Sequence, residues 1–174
     1  VSGYVDDFRM QNLSVDAMDS TRLRIDGHVR GLPRVEATAF QLNLKEFRTT
    51  RSDLKRVLVD SLIPTGIAIP DWMSLDGRIS GTYQRPDLDA RLRTSDGVVT
   101  ANGKLDLNGK GSYDLLVEAR DLELGKILKN KELGAIDIKA KAVGSGKSIY
   151  DIDAKINFLL SRLTYKGYDY KELR

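Results

Sequence analysis

The sequence predicts a mostly β protein, a long antiparallel meander of about ten strands with one inserted amphipathic helix near residues 52–63. Apolar and polar residues alternate with a period of two along most of the chain, which is typical of strands with one dry and one wet face. Short turns rich in glycine and proline separate the alternating segments, and one hairpin occurs twice. Short turns favour antiparallel pairing between strands that follow one another in the chain.

The composition is that of one folded domain. The chain has 174 residues, of which 41% are hydrophobic and 30% are charged, so it is not of the disordered class. Positive and negative residues are interleaved and the net charge is only +3, which argues against a nucleic-acid-binding surface. Because the chain has no cysteine, disulfides and thiolate metal sites are excluded.

The ends of the sequence predict that residues 1–174 are one β-rich segment of a longer protein. The first residue is Val1 rather than methionine, and both ends fall within strand-like patterns. No apolar run approaches the length of a membrane span, so we expect any membrane anchor to lie outside this segment.

The hairpin from Leu75 to Leu92 shows the repeated unit most clearly. Its first strand, LDGRISGTY, alternates strictly, and its second strand, DLDARL, alternates again after a break at Pro86. Proline causes the break because it fixes φ and lacks an amide donor. Residues 23–31 match the first strand, including its Asp-Gly pair, and a turn containing Pro33 follows. The sequence therefore contains two copies of a proline-punctuated hairpin.

Before the helix, the pattern predicts three strands. Residues 1–13 alternate weakly and are expected to form the first strand, and residues 15–19 a turn or a short edge piece. The next two strands are expected at 23–31 and 35–48. Within the latter, the side to which apolar residues point changes near Phe40, which predicts a bulge or burial of both faces there.

At residues 52–63 the period changes from two to that of a helix. Five residues fall on one helical face: Leu54, Val57, Leu58, Ser61 and Leu62. Ser52 is the expected N-cap, with Thr50 as the alternative, and Pro64 ends the pattern, so residues 51–64 form an insertion between the two hairpin copies. We expect the apolar stripe to pack as a lid on the dry face of the sheet. Its basic residues leave open a role at a membrane surface or a partner.

After the helix, the meander continues. Turns are expected at 94–97, 108–112 and 144–148, and a single helical turn within 122–130. The expected strands are 75–83, 87–93, 99–107, 113–119, 136–142, 150–160 and 163–170.

Small residues recur on the dry side of these strands: Gly27, Gly31, Ala37, Gly77, Gly81, Ala90, Ala101, Gly103, Ala119, Ala140 and Ala154. Two packed sheets usually fill their separation of about 10 Å with bulkier side chains. Small residues instead favour a strongly curved sheet, or a concave groove that leaves room for a guest. The alternative is that they only allow bending, and that the sheet closes on its own core as a sandwich or barrel.

No motif supports an enzyme, a cofactor or a metal site. Residues 144–148 end like a phosphate-binding loop, but Lys141 replaces the required first glycine and a strand pattern follows. Residues 106–109 begin like a calcium loop that lacks its final glutamate. The single histidine, His28, shares the wet face with Asp26 but has no identifiable nucleophile. We therefore expect no catalytic activity, no cofactor and no metal.

Several short motifs follow one another in a specific order between residues 67 and 146. They are Ile69-Pro70, Leu75-Asp76-Gly77-x-Ile79-x-Gly81, Thr94-x-Asp96-Gly97, Gly103-Lys104-Leu105-Asp106-Leu107, Tyr113-Asp114-Leu115, Asp121-Leu122-x-Leu124-Gly125-Lys126-Ile127-Leu128, Leu133-Gly134 and Val143-Gly144-Ser145-Gly146. In this order they resemble the TamB-like translocation and assembly proteins of Bacteroidota, in the AsmA-like superfamily. Each motif alone is weak, and their order carries the resemblance.

The resemblance implies a periplasmic protein that is anchored in the inner membrane and whose long sheet, curled into a taco-like groove, shields phospholipid acyl chains on their way to the outer membrane. It also implies a link to outer-membrane protein assembly, with a barrel-assembly protein as partner of the full-length chain. The groove candidates are Ile25, Val29, Val35, Leu75, Ile79, Leu88, Leu92, Val99, Leu105, Leu115, Val117, Ile136, Ile138, Ile152, Ile156 and Phe158. The alternative is a structural β-sandwich module that recruits a partner through an edge strand or the helix.

Overall fold

A computed structural model describes residues 2–57, 66–146 and 153–173 of the chain. They form eleven strands, two short α-helices and one 3₁₀-helix, Val35–Ala37. The strands are β1 Ser2–Tyr4, β2 Asp7–Ala17, β3 Thr21–Arg30, β4 Ala39–Thr50, β5 Trp72–Thr82, β6 Pro86–Thr94, β7 Gly97–Asp106, β8 Ser112–Glu123, β9 Leu133–Ser145, β10 Asp153–Tyr165 and β11 Tyr168–Leu173. The α-helices are α1 Arg51–Val57 and α2 Leu124–Ile127.

All eleven strands belong to one sheet whose order in space is their order in the chain. Each pairs antiparallel with the strand before it and the strand after it. The two terminal strands, β1 and β11, do not pair with each other, so the meander is open. The predicted mostly β, antiparallel meander is confirmed, and of the two predicted forms the structure has the open one.

The strand count exceeds the predicted ten by one because residues 1–13, predicted as one strand, form a hairpin. The last two strands are both present, but the turn between them lies later than predicted. Residues 1–13 contain a turn at Val5 and Asp6 that separates β1 from β2, and residues 163–170 contain a turn at Lys166 and Gly167 that separates β10 from β11. In the second turn both residues have positive φ, 51° and 80°, a conformation that glycine adopts without steric cost. The expected turn at 15–19 also begins later, because β2 continues through Ala17.

The strand expected at 35–48 begins four residues later than predicted. Val35 belongs to the 3₁₀-helix Val35–Ala37, and β4 starts at Ala39. This helix, rather than a bulge near Phe40, causes the change in the side to which apolar residues point. The bulge of β4 lies further along, between Leu44 and Phe47 in its ladder with β5.

Both predicted helical segments are present in the described residues. Helix α1 begins at Arg51 and is described to Val57, while the predicted residues 58–63 lie outside the described part of the chain. Helix α2 provides the single turn expected within residues 122–130.

The sheet is a single layer with almost no buried apolar core. Among the described residues, Ala119 is the one buried hydrophobic side chain, with 5% of its surface exposed. The accessible surface is 12027 Å². A compact protein of this length is expected to expose about 8,500 Å². The excess follows from a sheet on whose faces the described residues pack no second layer.

Candidate functional site: the apolar face of the sheet

Three rows of side chains run across nine strands, from β2 to β10, on one side of the sheet. The ladder pairings place each row's members opposite one another. The first row is Met10, Gly27, Leu42, Ile79, Leu88, Gly103, Leu115, Ala142 and Ile156. The middle row is Leu13, Ile25, Leu44, Gly77, Ala90, Ala101, Val117, Ala140 and Phe158. The third row is Val15, Leu23, Phe47, Leu75, Leu92, Val99, Ala119, Ile138 and Leu160.

We call these three rows the apolar face, since every one of their residues is apolar or glycine. Cross-strand neighbours on one side of an antiparallel pair are in side-chain contact, so the rows form one continuous surface. Several of its members are well exposed, with Ile79 at 37% and both Ile156 and Phe158 at 60%. A surface of this size without a covering layer is typical of a site that binds an apolar partner.

The middle row is the lowest part of the apolar face on β5 and β6. It contains Gly77 and Ala90 there, whereas the rows on either side carry leucine and isoleucine: Leu75, Ile79, Leu88 and Leu92. Larger side chains therefore flank a shallow depression across these two strands.

Most of the predicted groove residues lie on this side of the sheet. Eleven of them belong to the three rows, and Val29, Leu105 and Ile136 extend the same side beyond the rows, opposite Phe40, Tyr113 and Leu122. Val35 does not belong to the face, because it lies in the 3₁₀-helix and is 49% exposed. Ile152 lies outside the described residues.

Sequence analysis missed the contribution of β2 and β4 to this face. Alternation fails in both strands because each carries a bulge, which adds residues between successive apolar positions. Met10 and Leu13 are three residues apart yet occupy neighbouring rows, and the same holds for Leu44 and Phe47. In the sequence, the signal for such a bulge is a spacing of three residues, rather than two, between apolar positions of an otherwise alternating strand.

The opposite side, the polar face, is crossed by ion pairs between neighbouring strands. Lys45 of β4 lies 2.5 Å from Asp26 of β3, and Arg93 of β6 lies 2.6 Å from Asp76 of β5. Hydrogen bonding to Lys45, followed by that to the N–H of Asn12, holds the pKa of Asp26 below its ordinary value. Such pairs fix strand neighbours laterally without a second layer.

The single histidine, His28, belongs to this polar face, as does Asp26 two residues before it on β3. Its Nε2 lies 2.5 Å from Oδ1 of Asp7 on β2. This hydrogen bond from His28 is the main cause of a lowered pKa of Asp7. Among the described residues, no three histidine, aspartate or glutamate side chains form a group that could hold a metal ion.

One depression on the polar face has a volume of about 540 Å³ and lies across β4 to β7. Its charged lining residues are Lys45, Asp76, Arg78, Asp89 and Arg91. Arg78 opposes Asp89 in the ladder, and Asp76 opposes Arg91. Opposite charges on facing strands are typical of a solvated sheet surface, so this depression ranks below the apolar face as a candidate site.

Helix α1 is attached at one end of the apolar side. Asp53 is fully buried, and its Oδ2 accepts hydrogen bonds from the N–H of Ser20 and the hydroxyl of Thr21, both at 2.9 Å. The hydroxyl of Thr21 also lies 2.9 Å from that of Thr49, which follows Phe47 on the apolar side of β4. The described part of the helix therefore closes the ends of β3 and β4 and does not extend along the three rows.

A connecting segment continues from this helix along the same end of the sheet. The N–H of Arg51 donates to the carbonyl of Asp71, and that of Ala68 to the carbonyl of Ile127 in α2, at 2.9 and 2.7 Å. The N–H of Asp71 donates to the hydroxyl of Ser95. Residues 66–71 thus tie both helices to one rim of the sheet.

Comparison with known proteins gives no match for the chain, whether against family models, curated proteins or solved structures. The two α-helices of the described residues are too short to be membrane spans. The TamB-like family, the periplasmic location and the lipid partner accordingly remain predictions from the sequence.

Proposed function

We propose that this chain is a groove-forming segment of a TamB-like envelope protein, and that its apolar face shields phospholipid acyl chains during transport to the outer membrane. The observation that carries the proposal is the set of three uninterrupted apolar rows across nine strands, left uncovered by the described residues. The sequence resemblance supports it independently.

The shape and chemistry of the face suit an extended hydrocarbon chain. Gly77 and Ala90 form a shallow depression between larger apolar side chains, and the apolar rows continue from it across the neighbouring strands. Each methylene removed from water there would contribute about 0.8 kcal/mol. Since the contact is made by many similar side chains, no single residue would be essential, and the phosphate headgroup would stay in solvent.

In this proposal the segment lies in the periplasm and belongs to a protein anchored in the inner membrane by residues outside 1–174. A barrel-assembly protein of the outer membrane would be a partner of the full-length chain. Lipid shielding is a binding role, and the proposal includes no catalytic step.

The test compares two neighbouring positions of β5 that point to opposite faces. A photo-crosslinking amino acid is placed at Ile79 in the apolar face, and at Arg78 in the polar face as the matched control, in the full-length protein. Both positions are exposed, so they differ in face rather than in access. We expect phospholipid adducts at Ile79 and none at Arg78 by mass spectrometry. Equal capture, or no capture, at the two positions would overturn the proposal.

A second function is favoured by the open edge of β10. Its ladder with β11 begins only at Leu160, so residues 153–159 have no strand partner on that side within the described chain. Ile156 and Phe158, on this stretch, are also the most exposed members of the apolar face. Such an edge can accept a strand from another protein. Protein rather than lipid adducts at Phe158 would support this interaction module.

A further inference from the structure

Three places on the polar face share one arrangement of a bulge, an aspartate and a cation on three consecutive strands. In each, two residues of the first strand oppose one aspartate of the second, and a basic residue of the third strand bonds that aspartate. The aspartates are Asp26 in β3, Asp76 in β5 and Asp137 in β9. Their cations are Lys45 in β4, Arg93 in β6 and Arg162 in β10.

The first of these places shows the contacts in full. Asn12, in the bulge of β2, has a φ of 48°, and its N–H donates to Oδ1 of Asp26 at 2.6 Å. Lys45 donates to the side-chain oxygen of Asn12 at 2.9 Å and lies 2.5 Å from Oδ2 of Asp26. One aspartate therefore binds the bulge on one side and the cation on the other.

The same contacts recur a hundred residues later. Asp121, in the bulge of β8, also has a φ of 48°, and its N–H donates to Oδ1 of Asp137 at 2.6 Å. Arg162 forms ion pairs with both carboxylates, its Nε lying 2.9 Å from Oδ2 of Asp137. The third place, at Asp76, has the bulge and the 2.6 Å pair with Arg93.

The aspartate meets a need that the bulge creates. A bulge removes a residue from the ladder, so its N–H loses the carbonyl that a regular strand would offer. A carboxylate directly opposite is a strong acceptor for that N–H. Asparagine and aspartate tolerate a positive φ better than most residues, and Asn12 and Asp121 are the residues with positive φ in the bulges opposite Asp26 and Asp137.

From this repetition we infer that Asp26 and Asp137 are positioning residues, each the centre of a bulge clamp that fixes the register of three strands. Register matters here because a slip of one residue would move apolar side chains to the wrong face. In most sheets a packed core prevents such a slip, but Ala119 is the one buried hydrophobic side chain among the described residues of this sheet. The clamps on the polar face therefore resist the register slip that a packed core resists in other sheets.

Strands β6 to β8 provide the internal contrast. The β6–β7 ladder has no register shift, and the residue at the equivalent place in β7 is Thr100. Asp89 of β6 lies on the same polar face but opposes no bulge. Asp89 is therefore a matched control, because it is an aspartate on the polar face that has no bulge to bind.

The experiment measures amide hydrogen exchange residue by residue by NMR in Asp26→Ala, Asp137→Ala and Asp89→Ala. We expect Asp26→Ala to speed exchange of the Asn12 amide about tenfold, because its acceptor is lost, and to leave the Asp121 amide unchanged. Asp137→Ala should speed exchange of the Asp121 amide and leave the Asn12 amide unchanged. Asp89→Ala should change the exchange of neither amide. A uniform rise across the sheet, or no rise at the paired bulge, would overturn the inference. If an alanine variant does not fold, Asp26→Asn and Asp137→Asn give the same comparison with a weaker acceptor.

Register itself is read by disulfide trapping, since the chain has no cysteine of its own. Val15 opposes Leu23 in the β2–β3 ladder, so Val15→Cys with Leu23→Cys reports native register and Val15→Cys with Arg24→Cys a slip of one residue. We expect Asp26→Ala to raise the yield of the slipped disulfide relative to the native one. An unchanged ratio would mean that Asp26 stabilises the sheet without setting its register.

Discussion

The two faces of this sheet are built on the same strands but held in different ways. On the apolar face, three rows of apolar residues and glycines cross nine strands and have no covering layer among the described residues. On the polar face, ion pairs join several neighbouring strands, among them β3 to β4, β5 to β6 and β9 to β10. Adjacent residues such as Arg78 and Ile79 therefore belong to different kinds of surface.

The difference shows where the cohesion of a single-layer sheet resides. Backbone ladders and polar-face contacts hold the strands together, so the residues of the apolar face need not pack against one another in an internal core. A sandwich would have used the same apolar rows to bind its own second sheet. Leaving them uncovered keeps them available for an apolar ligand, which is the basis of the proposed function.

The largest expected effect comes from placing a charge on only one of the two faces. Leu115→Arg puts a guanidinium in the first row of the apolar face, where a bound acyl chain would have to desolvate it, so we expect lipid capture at Ile79 to fall at least about tenfold. Leu116→Arg, on the polar face of the same strand, is the matched control and should leave capture unchanged. Photo-crosslinking in both variants, with circular dichroism to verify folding, makes the comparison. Equal loss in the two variants would show that the faces do not differ in lipid binding.

A smaller effect is expected where the apolar face requires close approach of two strands. Gly103 has a φ of 147°, and a Cβ there would lie 2.0 Å from the backbone oxygen of Asp114. We expect Gly103→Ala to lower the free energy of unfolding by about 3 kcal/mol. Gly109→Ala is the control: its φ is 51° and no atom lies within 4 Å, so about 1 kcal/mol is expected. Urea unfolding of both variants measures the difference, and similar values would contradict it.

The smallest effect concerns pH and the end of the apolar side that α1 closes. Burial raises the pKa of Asp53, but hydrogen bonds from Ser20 and Thr21 outweigh it, and the pKa lies below the ordinary value of 3.8. A lowered folded-state pKa means that this stabilisation is present above pH 3.8 and is lost as the pH falls through the folded-state pKa.

We therefore expect the melting temperature to fall below about pH 4 more steeply in the wild type than in Asp53→Asn. Thermal unfolding followed from pH 6 to pH 2 measures the two slopes. Asp87→Asn, an exposed position on the polar face, is the control and should keep the wild-type slope. Parallel curves for the wild type and Asp53→Asn would show that the carboxylate of Asp53 does not stabilise the helix attachment.

Much of the candidate site could be predicted because it depends on a local rule. A strand alternates its side chains between two faces, so Leu75, Ile79 and Leu92 could be assigned to one face from their spacing alone. The rule fails where the backbone departs from the regular pleat. Val35 was misplaced because a 3₁₀-helix replaces the strand there, and β2 was overlooked because its bulge separates Met10 from Leu13.

By itself, the sequence determined that the protein is a meander of one-sided strands, with a helix inserted between the two hairpin copies and a helical turn within residues 122–130. Only the tertiary structure decided that the sheet stays open, that the bulges face aspartates from the next strand, and that Asp53 attaches the helix at one end of the apolar side. Alternation arises within each strand, from the pleat of neighbouring residues. Closure, register and the clamps arise between residues that are distant in the chain, and their pairing is set by which strands meet in space.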